Sequence, residues 1–126
     1  MANLRIVDSI TELGAQDAGC IAVSGSHGGV SSARYALAAR PLLCVFNDAG
    51  GGMQAAGVAA LEFLQSHGIA AATVSHESAC IGQARSTLDS GIVNHVNPLA
   101  AALGLTQGQP CAEAIRQLQN QVRSTL

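Results

Sequence analysis

The chain has 126 residues, a net charge of −2 at pH 7 and only 11% charged residues, whereas a typical soluble domain carries about 25%. All six basic residues are arginines, so Schiff-base catalysis and a P-loop nucleotide site, which both need a lysine, are excluded. Aromatic residues make up 2% of the chain, and without a basic stripe or stacking platforms we expect no nucleic-acid binding.

A chain of this length predicts one α/β domain over residues 1–126. No apolar run approaches the ~18 residues that span a bilayer, and the N-terminus lacks a signal-peptide pattern, so we expect a cytoplasmic protein that binds no membrane. None of the cysteines forms a C-x-x-C pair, and we interpret them as small buried hydrophobes. The weak surface charge predicts a homo-oligomer with Ala-rich helices packed between protomers.

Strands and helices alternate along the chain. Short apolar runs predict the strands, and the continuous run LLCVF predicts one that is buried on both faces. The predicted strands cover residues 4–7, 20–23, 42–46, 69–74 and 92–96. This order predicts a three-layer αβα sandwich with a mostly parallel, doubly wound sheet of about five strands, flavodoxin-like or Rossmann-like, and a C-terminal helix.

Local signals mark the ends of the predicted helices. A serine followed three residues later by a glutamate forms a capping box, and a residue before proline is pushed out of the α region. The predicted helices start at Ser9, at Ser31 or Ser32, at Met53, after SHES, at Asn97-Pro98 and at Pro110. The first five end near Gly14, Arg40, Ser66, Leu88 and Gly104.

Polar residues and glycines are concentrated at one edge of the predicted sheet. SGSHGG, NDAGGG and SHES follow three successive strands, and Asn94, His95 and Asn97 lie near the end of the next strand. The turns at the opposite edge have ordinary helix-to-strand sequences. Because ligands bind at the carboxyl ends of parallel strands, we predict a site for a small polar or anionic molecule at this Gly-rich rim.

The SGSHGG segment is predicted to be a ligand-contacting loop. Its glycines let the backbone approach a ligand, and its alternative reading is a turn followed by capping serines. The turn reading leaves His27 between glycines unexplained. The predicted ligand-binding residues are Ser24, Gly25, Ser26, Gly28, Gly29, Asn47, Gly50, Gly51, Gly52 and Ser75.

His27, Asp48 and His76 are the predicted catalytic residues. Asp48 directly follows a buried strand, where a carboxylate serves as a general base, an orienting group or, alternatively, a helix cap. His76 lies in SHES, which also fits a simple cap in which Ser75 bonds the N–H of Ser78. If Asp48 and a histidine lie within about 3.2 Å and face a pocket, the acid–base interpretation is favoured.

Two other uses of the rim remain open. Gly50, Gly52 and Ala55 partly match a dinucleotide fingerprint, but no acidic residue follows at the required strand end, so we predict no cofactor. His27, Asp48, His76 and His95 are metal-ligand types without a recognised spacing, and a metalloenzyme is therefore the third hypothesis.

Two residues near the rim have simpler interpretations. We read His95 as a core histidine because it lies within a predicted strand. Arg85 is predicted to pair with Asp89, four residues later on the same helix, and less readily to hold a ligand carboxylate.

The leading hypothesis is an enzyme of the hydrolase, lyase or isomerase type that does acid–base chemistry on a small polar or anionic substrate. The alternative is a non-catalytic subunit or ligand sensor that uses the same loops without an acid–base pair.

Overall fold

The computed structural model of the chain describes residues 3–49 and 59–124. Its strands are β1 (Leu4–Val7), β2 (Ile21–His27), β3 (Leu43–Asn47), β4 (Ala70–Val74) and β5 (Val93–Val96). Its α-helices are α1 (Val30–Ala39), α2 (Ala59–Ser66), α3 (Ala84–Ser90), α4 (Pro98–Ala102) and α5 (Cys111–Ser124). Short 3-10 helices at Ile10–Glu12 and Ala15–Asp17 connect β1 to β2.

The five strands form one sheet in chain order, β1-β2-β3-β4-β5. The first four are parallel, and β5 runs antiparallel to β4. The α/β fold class is thereby confirmed: the sheet is mostly parallel, helices are interleaved with its strands, and a helix closes the chain. The strands follow one another across the sheet in chain order, without a reversal. The doubly wound arrangement is therefore visible in the positions of the helices, which lie on both faces of the sheet.

Helices cover both faces of this sheet. On one face, Ala36 of α1 and Leu64 of α2 pack in one cluster with Phe46 of β3. On the other face, Ile115 of α5 packs in a second cluster with Val45 of β3. The connections through β4 stay on the first face, and the chain then crosses to the second, where α3 contacts β2. The change of face therefore falls beside the carboxyl ends of β3 and β4.

Three of the four alanines of α1 are covered within the chain itself, and Ala38 is exposed. Ala33, Ala36 and Ala39 are at most 2% exposed, because their small side chains let the helix lie close to the sheet. This helix therefore gives no support to the expectation that Ala-rich faces pack between protomers.

Two predicted boundaries near the rim are wrong. Strand β2 does not stop at Val23 but continues to His27, so the first four residues of SGSHGG are strand rather than loop. Helix α3 begins at Ala84 rather than after SHES, because residues 76–82 form turns first. The carboxylate of Asp8 stabilises the start of α3 by accepting the Ala84 N–H at 2.9 Å.

The capping predictions divide between right and wrong. The Ser9–Glu12 capping box is present, although the helix that it starts is a single 3-10 turn. Asn97 caps α4, as predicted, and Pro98 is at its first position. Ser31 and Ser32 do not cap α1; they lie inside it, and the N-cap is Gly29, which has no side chain to contribute.

Other predictions meet the structure in part. Arg40 ends α1, but in the left-handed conformation, with φ of 52°, rather than in the extended one expected before proline. The part of the predicted 53–66 helix that precedes residue 59 lies outside the described residues. Cys20, Cys44 and Cys111 are buried free thiols, whereas Cys80 is exposed, which corrects its interpretation as a buried hydrophobe. No helix in the described part of the chain has the length and apolarity needed to cross a membrane.

Candidate functional site

Asp48 and His76 meet at the carboxyl edge of the sheet. Asp48 directly follows β3, is 6% exposed, and donates its backbone N–H to the carbonyl of Val74 at the end of β4. Its Oδ1 lies 3.1 Å from Nδ1 of His76 and also accepts the His76 backbone N–H at 2.9 Å. The distance predicted for an acid–base pair is therefore present between these two residues.

Asn94 completes the surroundings of this carboxylate from β5. Its Nδ2 donates to Oδ2 of Asp48 at 2.6 Å, and its Oδ1 accepts the hydroxyl of Thr73 at 2.7 Å. Thr73 is fully buried in β4. A chain of hydrogen bonds thus runs from Thr73 through Asn94 and Asp48 to His76.

These contacts determine which nitrogen of His76 is free. Asp48 accepts three N–H groups from its neighbours Asn94 and His76, and such donors favour the ionised carboxylate. Because an ionised carboxylate only accepts hydrogen bonds, Nδ1 of His76 must carry a proton. The His76 side chain is 46% exposed, and its Nε2 has no hydrogen-bond partner among the described residues. The ring can therefore accept a proton at Nε2 while Asp48 stabilises the resulting imidazolium.

The serines and glycine at the start of SGSHGG serve the fold. The hydroxyl of Ser24, which is fully buried, donates to the carbonyl of Val45 at 2.8 Å. Ser26 accepts the N–H of Ile10 at 2.9 Å, and the Gly25 carbonyl accepts the N–H of Gly82 at 2.7 Å. Each of these three residues therefore has at least one polar group engaged within the fold, and their ligand-binding role stays a prediction.

His27 is exposed at the end of β2 and stands next to Asn47 in the β2–β3 register. Its Nδ1 accepts the N–H of Gly29 at 3.1 Å, and within the described residues it makes no contact with Asp48 or His76. Gly28 donates its N–H to the carbonyl of Asn47 at 3.0 Å. The structure therefore joins two of the three predicted catalytic residues and places the third on β2, one strand from Asp48 and two strands from His76.

Asn47 and Ala49 fix the backbone on both sides of Asp48. Asn47 is fully buried, donates to the carbonyl of Ala79 at 3.1 Å and accepts the N–H of Ala49 at 2.8 Å. Ala49 has φ of 56°, a left-handed conformation that costs a non-glycine residue about 1–2 kcal/mol. Asn47 thus holds the chain beside the carboxylate rather than a ligand. Gly50, Gly51 and Gly52 lie outside the described residues.

The SHES segment is a turn rather than a helix start. Ser75 accepts the N–H of Glu77 at 3.1 Å through its hydroxyl, not that of Ser78 as predicted. The Ser75 carbonyl accepts the N–H of Ser78 at 3.0 Å. This turn projects His76 from the end of β4 toward the Asp48 carboxylate.

The antiparallel direction of β5 rearranges the predicted rim. Asn94, at the start of that strand, meets Asp48, whereas Asn97, at its other end, bonds the carbonyls of Leu61 and Ile69 at the opposite edge. His95 is exposed, which corrects its interpretation as a core residue. Asn94 was placed near the rim by its sequence position, but its role depends on a strand direction that no local pattern indicated.

Arg85 and Asp89 are both exposed and form no ion pair in the described structure, contrary to the prediction.

Metal-ligand groups are dispersed in the described part of the chain. Within residues 3–49 and 59–124, no three His, Cys, Asp or Glu side chains come together.

Two cavities formed by described residues lie elsewhere. One of about 450 Å³ is lined by Arg34 and Tyr35 on the outer face of α1. The other, of about 180 Å³, is lined by Leu42 and Leu99 at the opposite edge of the sheet. Neither includes the Asp48–His76 pair. Of the two conditions set for an acid–base pair, the distance is therefore met, whereas neither of these cavities provides the pocket, and the candidate site is defined by the pair itself.

No protein-family model matches the chain, and neither a curated protein nor a solved structure is found to match it. The fold and the rim define an α/β protein with a carboxylate–imidazole pair at the carboxyl edge of its sheet. Its function is therefore argued from its own residues.

Proposed function

We propose that the protein is an enzyme that binds a small polar or anionic molecule at the rim and uses His76 as its general base or acid. The observation that carries the proposal is the 3.1 Å contact between His76 Nδ1 and Asp48 Oδ1. A histidine held by a carboxylate at one nitrogen and open at the other is the usual arrangement of a general base. Hydrolysis, elimination and isomerisation all use such a group.

The burial of Asp48 supports this role. A carboxylate that is 6% exposed costs free energy unless it is paired and hydrogen-bonded. The polar chain from Thr73 through Asn94 supplies donors to that carboxylate but leaves the outer edge of His76 exposed.

A ligand screen by thermal shift tests this binding site. The protein, stripped with a chelator, is heated with small carboxylates, phosphates, nucleotides or divalent metals, and the same screen is run on His76→Gln. A ligand at 100 times its Kd adds about 2.7 kcal/mol to the free energy of unfolding, which raises Tm by several degrees. We expect a small anion to raise Tm in the wild type and not in His76→Gln.

His67→Gln is the matched control for that screen. His67 is exposed just after α2, and its Nδ1 contacts the Phe63 carbonyl at 2.9 Å. It lies at the opposite edge of the sheet, so this variant should keep the ligand shift. A shift with a divalent metal alone would favour the metalloenzyme, and the absence of any ligand shift would contradict a small-molecule site.

A non-catalytic ligand sensor is the second candidate. Asp48 Oδ1 also accepts the His76 backbone N–H at 2.9 Å, so the same carboxylate caps the turn after β4. A sensor would keep the Tm shift and show no chemical change in the ligand. A cytoplasmic location and a homo-oligomeric state belong to the same proposal; they rest on the low charge and cysteine pattern of the sequence.

A further inference from the structure

We propose that His27 is the hydrogen-bond donor of this site, which makes the substrate a small carbonyl or carboxylic compound whose proton is removed by His76. The inference rests on the proposed function and assigns the substrate class. It is carried by the hydrogen bonds that the two exposed histidines of the rim make through Nδ1.

The tautomer of His27 follows from its contact with Gly29. The backbone N–H of Gly29 donates to Nδ1 of His27 at 3.1 Å, so that nitrogen offers its lone pair and carries no proton. With Nδ1 as the acceptor, the ring proton is on Nε2. His27 is exposed, which leaves this Nε2–H available to a ligand oxygen.

His76 is held in the opposite tautomer. Its Nδ1 donates to Asp48, so its Nε2 offers a lone pair. One histidine of the rim thus presents a proton donor and the other a proton acceptor. Pairs of groups with opposite roles of this kind are how acid and base functions are divided in an active site.

Strand register places the two rings on either side of β3. His27 pairs with Asn47, and Asn47 pairs with Val74, two residues before His76. Two interstrand spacings separate the strand ends by about 10 Å, and His27 and His76 are both exposed there. A molecule of a few heavy atoms spans that gap.

Gly29 keeps His27 in place through its lack of a side chain. A Cβ at position 29 would lie 2.6 Å from Cε1 and 2.8 Å from Nδ1 of the imidazole. The ring therefore lies directly against the glycine, where it also receives the N–H. This fit accounts for His27 and for Gly29, the last glycine of SGSHGG. The capping interpretation did not explain this histidine.

The step that these groups support is proton abstraction next to a carbonyl. The proton of the C–H bond moves to Nε2 of His76, and its electron pair forms the new C=C bond. The carbonyl π pair moves to oxygen, and the resulting enolate oxygen accepts the Nε2–H of His27. Asp48 stabilises the imidazolium of His76. Where the enolate is conjugated with a further C=C bond, return of the proton to the far carbon of that bond completes an isomerisation; otherwise the proton returns to the carbon it left.

The first test measures the tautomers by long-range ¹H–¹⁵N NMR on the folded protein. We expect the Nε2–H form for His27 and the Nδ1–H form for His76. An Nδ1–H form at His27 would overturn the inference and leave the Asp48–His76 proposal intact. An Nε2–H form at His76 would overturn both.

The second test titrates the labelled protein with acetate, glycolate, pyruvate and oxalate. Oxalate resembles the planar enolate of a keto acid, and we expect it to shift the His27 Nε2–H resonance and to bind at least tenfold more weakly to His27→Phe. A response at His76 without one at His27 would overturn this inference alone. The absence of a response at either ring would contradict the proposed site as well.

Gly29→Ala separates the ring position from the presence of the histidine. The added methyl displaces the imidazole, and oxalate binding should fall by a similar factor to that in His27→Phe. Gly14→Ala is the control, because a Cβ there meets only the side chain of Gln16, a flexible group, and oxalate binding should be unchanged. Undiminished binding in Gly29→Ala, with folding intact, would contradict the role of this contact.

Discussion

Nδ2 of Asn94 donates a 2.6 Å hydrogen bond to Oδ2 of Asp48. This bond joins the only antiparallel strand of the described sheet to the carboxylate that follows β3. It gives Asp48 a donor on the side away from His76, so that both carboxylate oxygens are engaged and the group cannot rotate freely. The orientation of the acid–base pair therefore depends on β5.

The Asn94–Asp48 hydrogen bond predicts how the free energy of unfolding changes when the amide and the carboxylate are removed or exchanged. Asn94→Ala removes a donor from a buried carboxylate and should lower the free energy of unfolding by about 1.5–3 kcal/mol. Asn94→Asp should cost at least as much, because it brings two carboxylates together. The double variant Asp48→Asn with Asn94→Asp restores one donor and one acceptor, and urea titration should show most of the stability regained.

The same double variant separates stability from function. The double variant moves the negative charge from residue 48 to residue 94. The ligand-dependent rise in Tm should therefore remain absent, although the stability of the fold recovers. A double variant that regains both stability and the full ligand effect would show that the charge of Asp48 is not what the site requires.

One methyl group added at Gly25 is predicted to lower the stability of the fold severely. A Cβ there would lie 2.8 Å from the Asp8 carbonyl oxygen and still closer to the backbone of Gly82 and Gln83. Backbone cannot move aside as a side chain can, so Gly25→Ala should cost about 1–3 kcal/mol or more in urea titration. Gly14→Ala is the matched control, and equal stabilities of the two variants would contradict the close approach.

Gly25 also shows why part of the rim was misread. The apolar pattern of β2 stops at Val23, and the polar residues beyond it resemble a loop. Ser24 remains in the strand because its hydroxyl bonds the Val45 carbonyl at 2.8 Å, a partner that is 21 residues away in the sequence. Hydrophobic periodicity predicts strands through side-chain burial, and it does not register a strand residue whose polar group is satisfied internally.

Asn97 is predicted to be one of the most important polar residues of the core. Its Oδ1 accepts the N–H groups of Ala71 and Ala100, and its Nδ2 donates to the carbonyls of Leu61 and Ile69. Asn97→Ala removes these four hydrogen bonds from a site that is 3% exposed. We expect a loss of about 3 kcal/mol or more in urea titration.

Asn97→Asp is the informative companion variant. It keeps the acceptor to Ala71 and Ala100 but loses both donors and buries a charge, so it should be no more stable than Asn97→Ala. A change of less than about 1 kcal/mol in either variant would contradict the network. The cap of α4 was visible in the sequence from Asn-Pro, but the bonds to α2 and β4 depend on tertiary neighbours that spacing cannot identify.

The buried thiols predict a loss of stability at alkaline pH. Burial raises the pKa of the Cys111 thiol from its ordinary value of 9.0 to about 12, and burial raises the pKa of Cys44 as well. Above pH 9 the unfolded chain loses these protons and the folded chain keeps them, so unfolding becomes more favourable as pH rises. Each thiol contributes a slope of about 1.4 kcal/mol per pH unit in this range.

Urea titrations between pH 7 and 11 measure that slope. Ionisation of these thiols should leave the free energy of unfolding unchanged below pH 9 and should lower it progressively toward pH 12. Cys111→Val removes one thiol, and its stability should therefore fall less steeply than that of the wild type over the same range. Parallel slopes for the two proteins would contradict a shifted thiol at position 111.

The sequence predicted the fold class from short-range patterns and the meeting of Asp48 with His76 from adjacent strand ends, whereas the ligand-binding role of the rim stays a prediction. Continuous apolar runs indicate buried strands, and the polar residues after such a run lie toward the carboxyl edge of the sheet, although Ser24 and Asn47 are still strand residues. The direction of β5 and the partnership of Asn94 with Asp48 could not be predicted, since they depend on how the chain returns after α3.

The most direct test of the central claim follows chemical change by ¹H NMR in D₂O. A panel of small carbonyl compounds, carboxylates and phosphate esters is incubated with the wild type, with His76→Gln and with His67→Gln. Hydrolysis, elimination, isomerisation and exchange of C–H for C–D are all visible in one spectrum. We expect at least one compound to react with the wild type and His67→Gln, and 10²–10⁴-fold more slowly with His76→Gln. A panel that stays unchanged with every protein, or a reaction that His76→Gln catalyses at the wild-type rate, would contradict the assignment of His76 and Asp48 as an acid–base pair.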